Sequence, residues 1–244
     1  MKKNKNTIYK INKIQDNRTL VHHHLGLGDN IICNGIVNYL SKEKKIHCYL
    51  PVKKHYLEML SFLYLGNKNV SLFAVNNESR EQDIESYASK NNLEILRVGF
   101  EKIKKNNFNT YFYKQLGLPY EYTYKHFNLP EDIKKSEKLK IHLFDYFEIK
   151  SKDYILVHDE SSYENYKLNI ESKEDIIYIN KESDLFSNIF LYKDLIRNAS
   201  EIHCINGSFL HLVERVETNA KLYYHHKRKN NMYLSEKWKW ITYD

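Results

Sequence analysis

The sequence predicts an α/β protein with parallel sheets, folded as two units in tandem. Three observations carry that prediction. Short apolar strand-like runs alternate with amphipathic helical stretches along the chain. The alternation breaks once, at the charged and apolar-poor Pro130–Lys140, and then resumes. Seven Gly and three Pro in 244 residues are too few for a turn-dense all-β, collagen-like or linker-rich chain.

In order, Thr19–His24 reads as a strand that runs into the turn Leu25-Gly26-Leu27-Gly28-Asp29-Asn30. Ile31, Ile32, Gly35, Ile36, Tyr39 and Leu40 then form the apolar stripe of a helix. Ile46–Val52 is a second strand and His55–Leu65 a helix, with Gly66 placed to end it. Val70–Val75 is a strand, Arg80–Lys90 a helix and Leu93–Gly99 a fourth strand. An aromatic helix, Phe108–Leu118, stops at Gly117 and Pro119, and Pro130–Lys140 fits a surface helix or connection. The second unit has strands at Asp153–His158, Asp175–Asn180 and Glu201–Asn206, with a helix over Ile189–Asn198. A helix opened by Gly207-Ser208 aligns Phe209, Leu212, Val213 and Val216, and Lys221–His225 is the last strand before a basic, aromatic tail. The expected division is 1–140 and 141–244.

Composition narrows the function classes. At 42% hydrophobic and 28% charged the chain is globular, not disordered. A net charge of +7 is mild for this length and forms no long basic block, so it does not mark a nucleic-acid binder. Cys33, Cys48 and Cys204 lack metal-ligand spacing and sit in apolar stretches, which suits core thiols in a reducing compartment. Met1–Asn17 has no apolar signal core, and no segment approaches the ~18 apolar residues of a membrane span. The expectation is a cytoplasmic protein, at most peripheral at the inner face of a membrane.

Three places could carry chemistry. In His24-Leu-Gly-Leu-Gly-Asp-Asn30 a strand turns into a helix through Gly26 and Gly28, exposing helix N–H groups to an anion or polar ligand. Ile31 replaces the third glycine of a dinucleotide fingerprint, and no Lys-Ser/Thr pair makes a P-loop. Asp29 can accept a proton from a substrate hydroxyl, or it can cap the helix. The second place is Glu201–Arg215, where a strand delivers Asn206, Gly207 and Ser208 to a helix start suited to a diphosphate, with His211 one turn on. Ser208 as a plain cap and His211 as an ordinary core histidine are the structural alternatives. The third is the end of Asp153–His158, where His158, Ser161, Ser162 and Lys167 could meet a phosphate. His22-His23-His24 cannot converge on one metal ion from a strand, since neighbours face opposite ways, and no DxD or GxSxG occurs.

Taken together, His24-Leu-Gly-Leu-Gly-Asp-Asn-Ile-Ile and Glu201-Ile-His-Cys-Ile-Asn-Gly-Ser-Phe-Leu-His-Leu resemble the two end motifs of GT-B glycosyltransferases related to the lipopolysaccharide heptosyltransferases, the glycosyltransferase family 9 type. The resemblance implies a compact GT-B-like chain of two Rossmann-like lobes, the acceptor-side lobe first and the nucleotide-sugar lobe second. It implies metal-independent, inverting transfer of a sugar from a nucleotide-diphosphate donor to a glycan or glycolipid hydroxyl, with no cofactor beyond that co-substrate. Asp29 would be the general base; Gly26, Gly28 and Asn30 would shape the cleft. Asn206, Gly207, Ser208 and His211 would hold the donor diphosphate, helped by His158, Ser161 and Lys167. The turn departs from the family pattern in having Asn206 and Gly207-Ser208 where an Asp and a Thr/Ser are usual. Two other readings compete: a non-catalytic nucleotide- or glycan-binding protein, and a polyanion binder using the Lys227–Trp240 tail, which fits equally a C-terminal helix packed on the body.

Overall fold

The computed structural model describes residues 7–101, 107–160, 166–227 and 232–243. The chain divides into two compact units, residues 1–130 and 131–244. The first contains β1 (Thr7–Ile8), β2 (Arg18–His22), α1 (Leu27–Asn38), β3 (His47–Lys53), α2 (Leu57–Leu63), β4 (Val70–Val75), α3 (Arg80–Lys90), β5 (Glu94–Arg97), α4 (Phe108–Leu116) and α5 (Tyr122–Lys125). The second contains α6 (Ile133–Tyr146), β6 (Tyr154–His158), β7 (Asp175–Tyr178), α7 (Lys193–Asn198), β8 (Glu201–Cys204), α8 (Ser208–Val213), β9 (Lys221–His226) and β10 (Trp238–Thr242).

Each unit has one five-stranded sheet, β1-β5-β2-β3-β4 in the first and β10-β9-β8-β6-β7 in the second, and every described pairing is parallel. Strands covered on both faces must be apolar throughout. Leu20 and Val21 of β2, and Ile155, Leu156 and Val157 of β6, are accordingly buried. Helix α1 buries Ile31, Ile32, Ile36 and Val37, and each such side chain contributes about 1.5–3 kcal/mol. Gly117, at φ +73°, ends α4 in the left-handed conformation that the preceding sequence requires for a stop.

In both sheets the strand order reverses beside the first long strand. The chain runs from β2 to β3 to β4 on one side, and β5 then returns to the other side of β2. Likewise β7 lies on one side of β6 and β8 on the other. Loops leaving the C-terminal ends at such a reversal diverge and open a crevice, where α/β sheets take ligands. The turn 23–26 follows β2 and leads into α1, and the turn 205–207 follows β8 and leads into α8, so both sequence motifs stand at these reversals.

Three expectations are corrected. The units divide at 130/131, not 140/141, because α6 buries Leu139 and Leu143 within the second unit and its start is tied there by Glu131 to Lys193 and Arg197. The tail forms strand β10, not a helix: the buried Glu214 carboxylate accepts hydrogen bonds from Ser235 N, Ser235 Oγ and Trp238 Nε1 at 2.9, 3.1 and 2.6 Å. That encloses Trp238 and removes it as a stacking platform. The strand expected over Thr19–His24 stops at His22, since His23 Nδ1 donates to the His24 carbonyl at 2.6 Å and both residues leave the ladder.

Candidate active site

The first site is built on the β2–α1 turn. Gly26 is the N-cap of α1, so Asp29 lies in the helix's first turn. Its carboxylate turns back beside Gly26, whose amide favours the charged form, the placement of the return half of a capping box. The space it fills is the one a side chain on Gly26 would need: a Cβ there would sit 2.7 Å from Asp29 Oδ2. Capping and chemistry are therefore compatible uses of one group. Asn30 faces inward, fully buried, and its Nδ2 donates to the Gly26 carbonyl at 2.8 Å, so it braces the turn from behind. Gly28 is half-buried within the first helical turn.

Burial raises the Asp29 pKa to about 6, against the opposing pull of His24, the Gly26 amide and Lys53. A carboxyl at about 6 is still mostly ionised at neutrality, yet is a much stronger proton acceptor than an ordinary aspartate. Lys53 comes from the end of β3, next to β2. On the other side, the loop after β5 brings Gly99 and Phe100. The His24 ring donates through Nε2 to the Gly99 carbonyl at 2.9 Å and stacks on Phe100 with centroids 4.8 Å apart. Gly99 has φ +83°, and a Cβ on it would strike the Phe112 ring. Gln115 of α4 fastens this loop: its Oε1 accepts Gly99 N at 2.8 Å and Phe100 N at 3.2 Å, while its Nε2 donates to Arg97 O at 2.6 Å.

These surrounding groups were not singled out by sequence. Lys53 was in principle findable, as the last residue of a strand adjacent to β2. Phe100 and Gln115 depend on β5 pairing with β2, which no local pattern announces.

In the second unit, Ile205 N donates to the His158 carbonyl at 3.1 Å, bringing the 206–208 turn beside the end of β6. Asn206, Gly207 and Ser208 are each partly open to solvent. A Cβ on Gly207 would lie 3.2 Å from His158 Cε1, so imidazole and turn are in contact. His158 stacks on Phe209 at 5.2 Å, its Nδ1 buried with no hydrogen-bond partner, and burial lowers its pKa to about 4. Gly207, not Ser208, is the N-cap of α8, and Ser208 is its first helical residue. His211 is enclosed at 4% exposure and held neutral by burial, with a pKa of about 3. It thus belongs to the core behind the turn. Lys167 is exposed, on a segment that Asp159 ties back through Tyr166 N to its carbonyl and Leu168 N to its carboxylate. Ser161 and Ser162 lie outside the described residues.

Among the described residues, no three His, Cys, Asp or Glu side chains group to hold a metal ion, and no helix is long and apolar enough to cross a membrane. The three cysteines are buried thiols.

No known family profile matches the chain, and no curated protein matches it in sequence. Solved structures do match in fold. A glycosyl transferase family 9 protein from Veillonella parvula DSM 2008 superposes with a TM-score of 0.58 at 8% identity, covering 92% of this chain and 86% of that one. The E. coli ADP-heptose LPS heptosyltransferase II superposes with a TM-score of 0.52 at 10% identity, covering 92% and 90%. At such identities the likeness is one of architecture: this chain has the two-sheet, GT-B-like α/β fold of those glycosyltransferases.

Proposed function

We propose that the protein is a glycosyltransferase that moves a sugar from a nucleotide-diphosphate sugar to a hydroxyl of a glycan or glycolipid acceptor. The observation that carries the reading is Asp29, a carboxyl raised to about 6 at the strand-order reversal of the first sheet. An acceptor hydroxyl is a poor nucleophile until a base takes its proton as it attacks, and a base near neutrality does this best. The fold neighbours, both named as glycosyltransferases, support the same class.

In this reading the second unit holds the donor. The Asn206–Ser208 turn offers backbone N–H groups and the Ser208 hydroxyl to the diphosphate, and the neutral His158 beside Gly207 is a further donor or acceptor. These groups stabilise the departing diphosphate without a cation. Direct attack by the acceptor oxygen on the anomeric carbon, with Asp29 taking the proton, inverts that carbon. No further cofactor is required, and a cytoplasmic site of action, at most peripheral to a membrane, suits a nucleotide-sugar user.

The test is a thermal-shift screen against UDP-, GDP-, ADP- and CMP-sugars, followed by transfer assays with the donor that stabilises most. A ligand that binds only the native state raises its melting temperature by mass action. We expect a diphosphate sugar to stabilise, the monophosphate-linked CMP-sugar to do nothing, and Asp29→Asn to abolish transfer while keeping the shift. A flat panel refutes the reading. Donor binding without turnover to any acceptor would leave a nucleotide-binding protein.

A further inference from the structure

The residue just before the Asp29 turn has a geometry that capping and folding do not explain. His24 is exposed, yet its ring is fixed three times: Nε2 to the Gly99 carbonyl at 2.9 Å, against Phe100 at an interplanar angle of 14°, and against Phe112 with centroids 5.9 Å apart. A carbonyl can only accept, so Nε2 carries the proton. In the neutral ring Nδ1 is then left as a lone-pair acceptor, and Gly99 is the only hydrogen-bond partner the ring has among the described residues. Fixing an exposed histidine costs side-chain entropy with little gain for stability. The partner carbonyl is itself held by Gln115, which is buried and bonds both sides of the loop.

We propose that His24 is an acceptor-binding residue, whose Nδ1 receives a hydrogen bond from a sugar hydroxyl neighbouring the one that Asp29 deprotonates. The proposal rests on the transferase reading and specifies its acceptor: a polyol ring with a free hydroxyl adjacent to the reacting one. Asp29 and His24 lie at the two ends of one turn and sense each other's charge. A ring presenting two vicinal hydroxyls can meet both groups at once. Phe100, exposed beside His24, adds an apolar edge next to the imidazole.

The charged and titratable groups around His24 are Asp29, with Lys53 behind it, and the buried His22 and His23, which interact with it along the strand end. Arg97, over the Phe100 ring at 5.1 Å, is engaged with Glu81 and Glu85. None of these donates a hydrogen bond to Nδ1.

Three variants separate the functions of the ring. His24→Gln keeps a donor for Gly99 and loses Nδ1; His24→Asn keeps an acceptor near Nδ1 and loses the Gly99 bond; His24→Phe keeps only the stack. The probes are methyl glycosides that serve as acceptors in the transfer assay, each paired with its analogue deoxygenated next to the reacting hydroxyl. We expect acceptor KM to rise about 3- to 10-fold in the Gln and Phe variants, the loss of roughly one uncharged hydrogen bond. Asn should recover part of it, donor KM should not change, and the deoxy analogues should be insensitive to all three. Nitrogen-15 spectra of the wild-type imidazole at pH 8 should show Nε2 protonated and Nδ1 bare. Unchanged acceptor KM in His24→Gln with normal turnover overturns this proposal alone, as does an Nδ1–H tautomer. Absence of turnover with every glycoside in the wild type overturns the transferase reading and this proposal with it.

Discussion

The carboxylate of Asp29 occupies the space that a side chain at Gly26 would fill: Oδ2 lies 2.7 Å from where a Cβ would be. Gly26 itself has φ −66°, which alanine adopts without strain. Gly26→Ala should therefore leave the backbone intact and evict the carboxylate. We expect transfer to fall by about 10²- to 10³-fold, within the range of lost general-base catalysis, with a melting temperature within a few degrees of wild type. Transfer at the wild-type rate would mean that the base lies elsewhere.

Ionised Asp29 costs stability because the half-buried carboxylate is largely desolvated. Its folded pKa, about 6, exceeds the ordinary aspartate value, so the folded state binds a proton more tightly than the unfolded chain. The resulting stability is complete below about pH 4, declines as pH rises through the interval up to about 6, and is gone above it. Asp29→Asn removes this penalty. Its melting temperature should exceed the wild type's at pH 7.5, corresponding to about 1–3 kcal/mol, and the difference should shrink toward pH 4. The rising limb of wild-type kcat/KM should have its midpoint near 6. A midpoint near 4 would show an ordinary, solvated carboxylate.

The elements that the sequence makes plain are those set by local patterning. Val70–Val75 and Arg80–Lys90 fold over the expected residues because their apolar positions suffice to define a strand and a helix. The candidate site is legible only in part, since a glycine turn followed by an acid is local, whereas what surrounds it is not. His24 meets Gly99 across 75 residues of chain, a contact created by β5 docking against β2. The tail shows the same limit. Trp238–Thr242 reads as basic and aromatic, and only Glu214, 24 residues earlier, reveals why Trp238 is drawn in.

Gly207 and His158 are matched as closely as Gly26 and Asp29. A Cβ on Gly207 would approach His158 Cε1 to 3.2 Å, and the ring is backed by Phe209. Gly207 is extended, with φ −167°, so Gly207→Ala is not a backbone problem. The variant should fold, with melting temperature lowered by no more than a few degrees, and should lose most of the donor-induced thermal shift. Unaltered donor response in calorimetric titration would remove the 206–208 turn from the donor site.

Five histidines are held neutral chiefly by burial: His22 near 2, His211 near 3, and His23, His158 and His225 near 4. Here the sign is opposite to that of Asp29. Below about 6.5 the unfolded chain takes up protons that these folded rings refuse, so stability falls as pH drops from 6.5 toward 4. Each ring contributes up to about 1.4 kcal/mol per pH unit in that window, and five together outweigh the single carboxyl. Thermal unfolding followed by circular dichroism should show a steep loss of melting temperature between pH 6.5 and 5. A flat profile over that range would contradict the burial of these rings.

Gln115 offers the sharpest test of how the loop beside the site is held. Its amide oxygen receives Gly99 N, Phe100 N and Glu101 N, and its nitrogen donates to the Arg97 and Tyr9 carbonyls. Gln115→Leu fills the same space but leaves backbone groups around Gly99 without partners, at about 1–3 kcal/mol for each buried group left unpaired. The loop should respond by shifting, which withdraws the Gly99 carbonyl from His24. Gln115→Glu keeps the oxygen that receives the amides and loses the donor to the Arg97 and Tyr9 carbonyls. The expected order of melting temperature and of acceptor affinity is therefore wild type, then Glu, then Leu, with donor binding equal in all three. Equal behaviour of the Glu and Leu variants would show that the oxygen facing the three-residue loop is not what holds it.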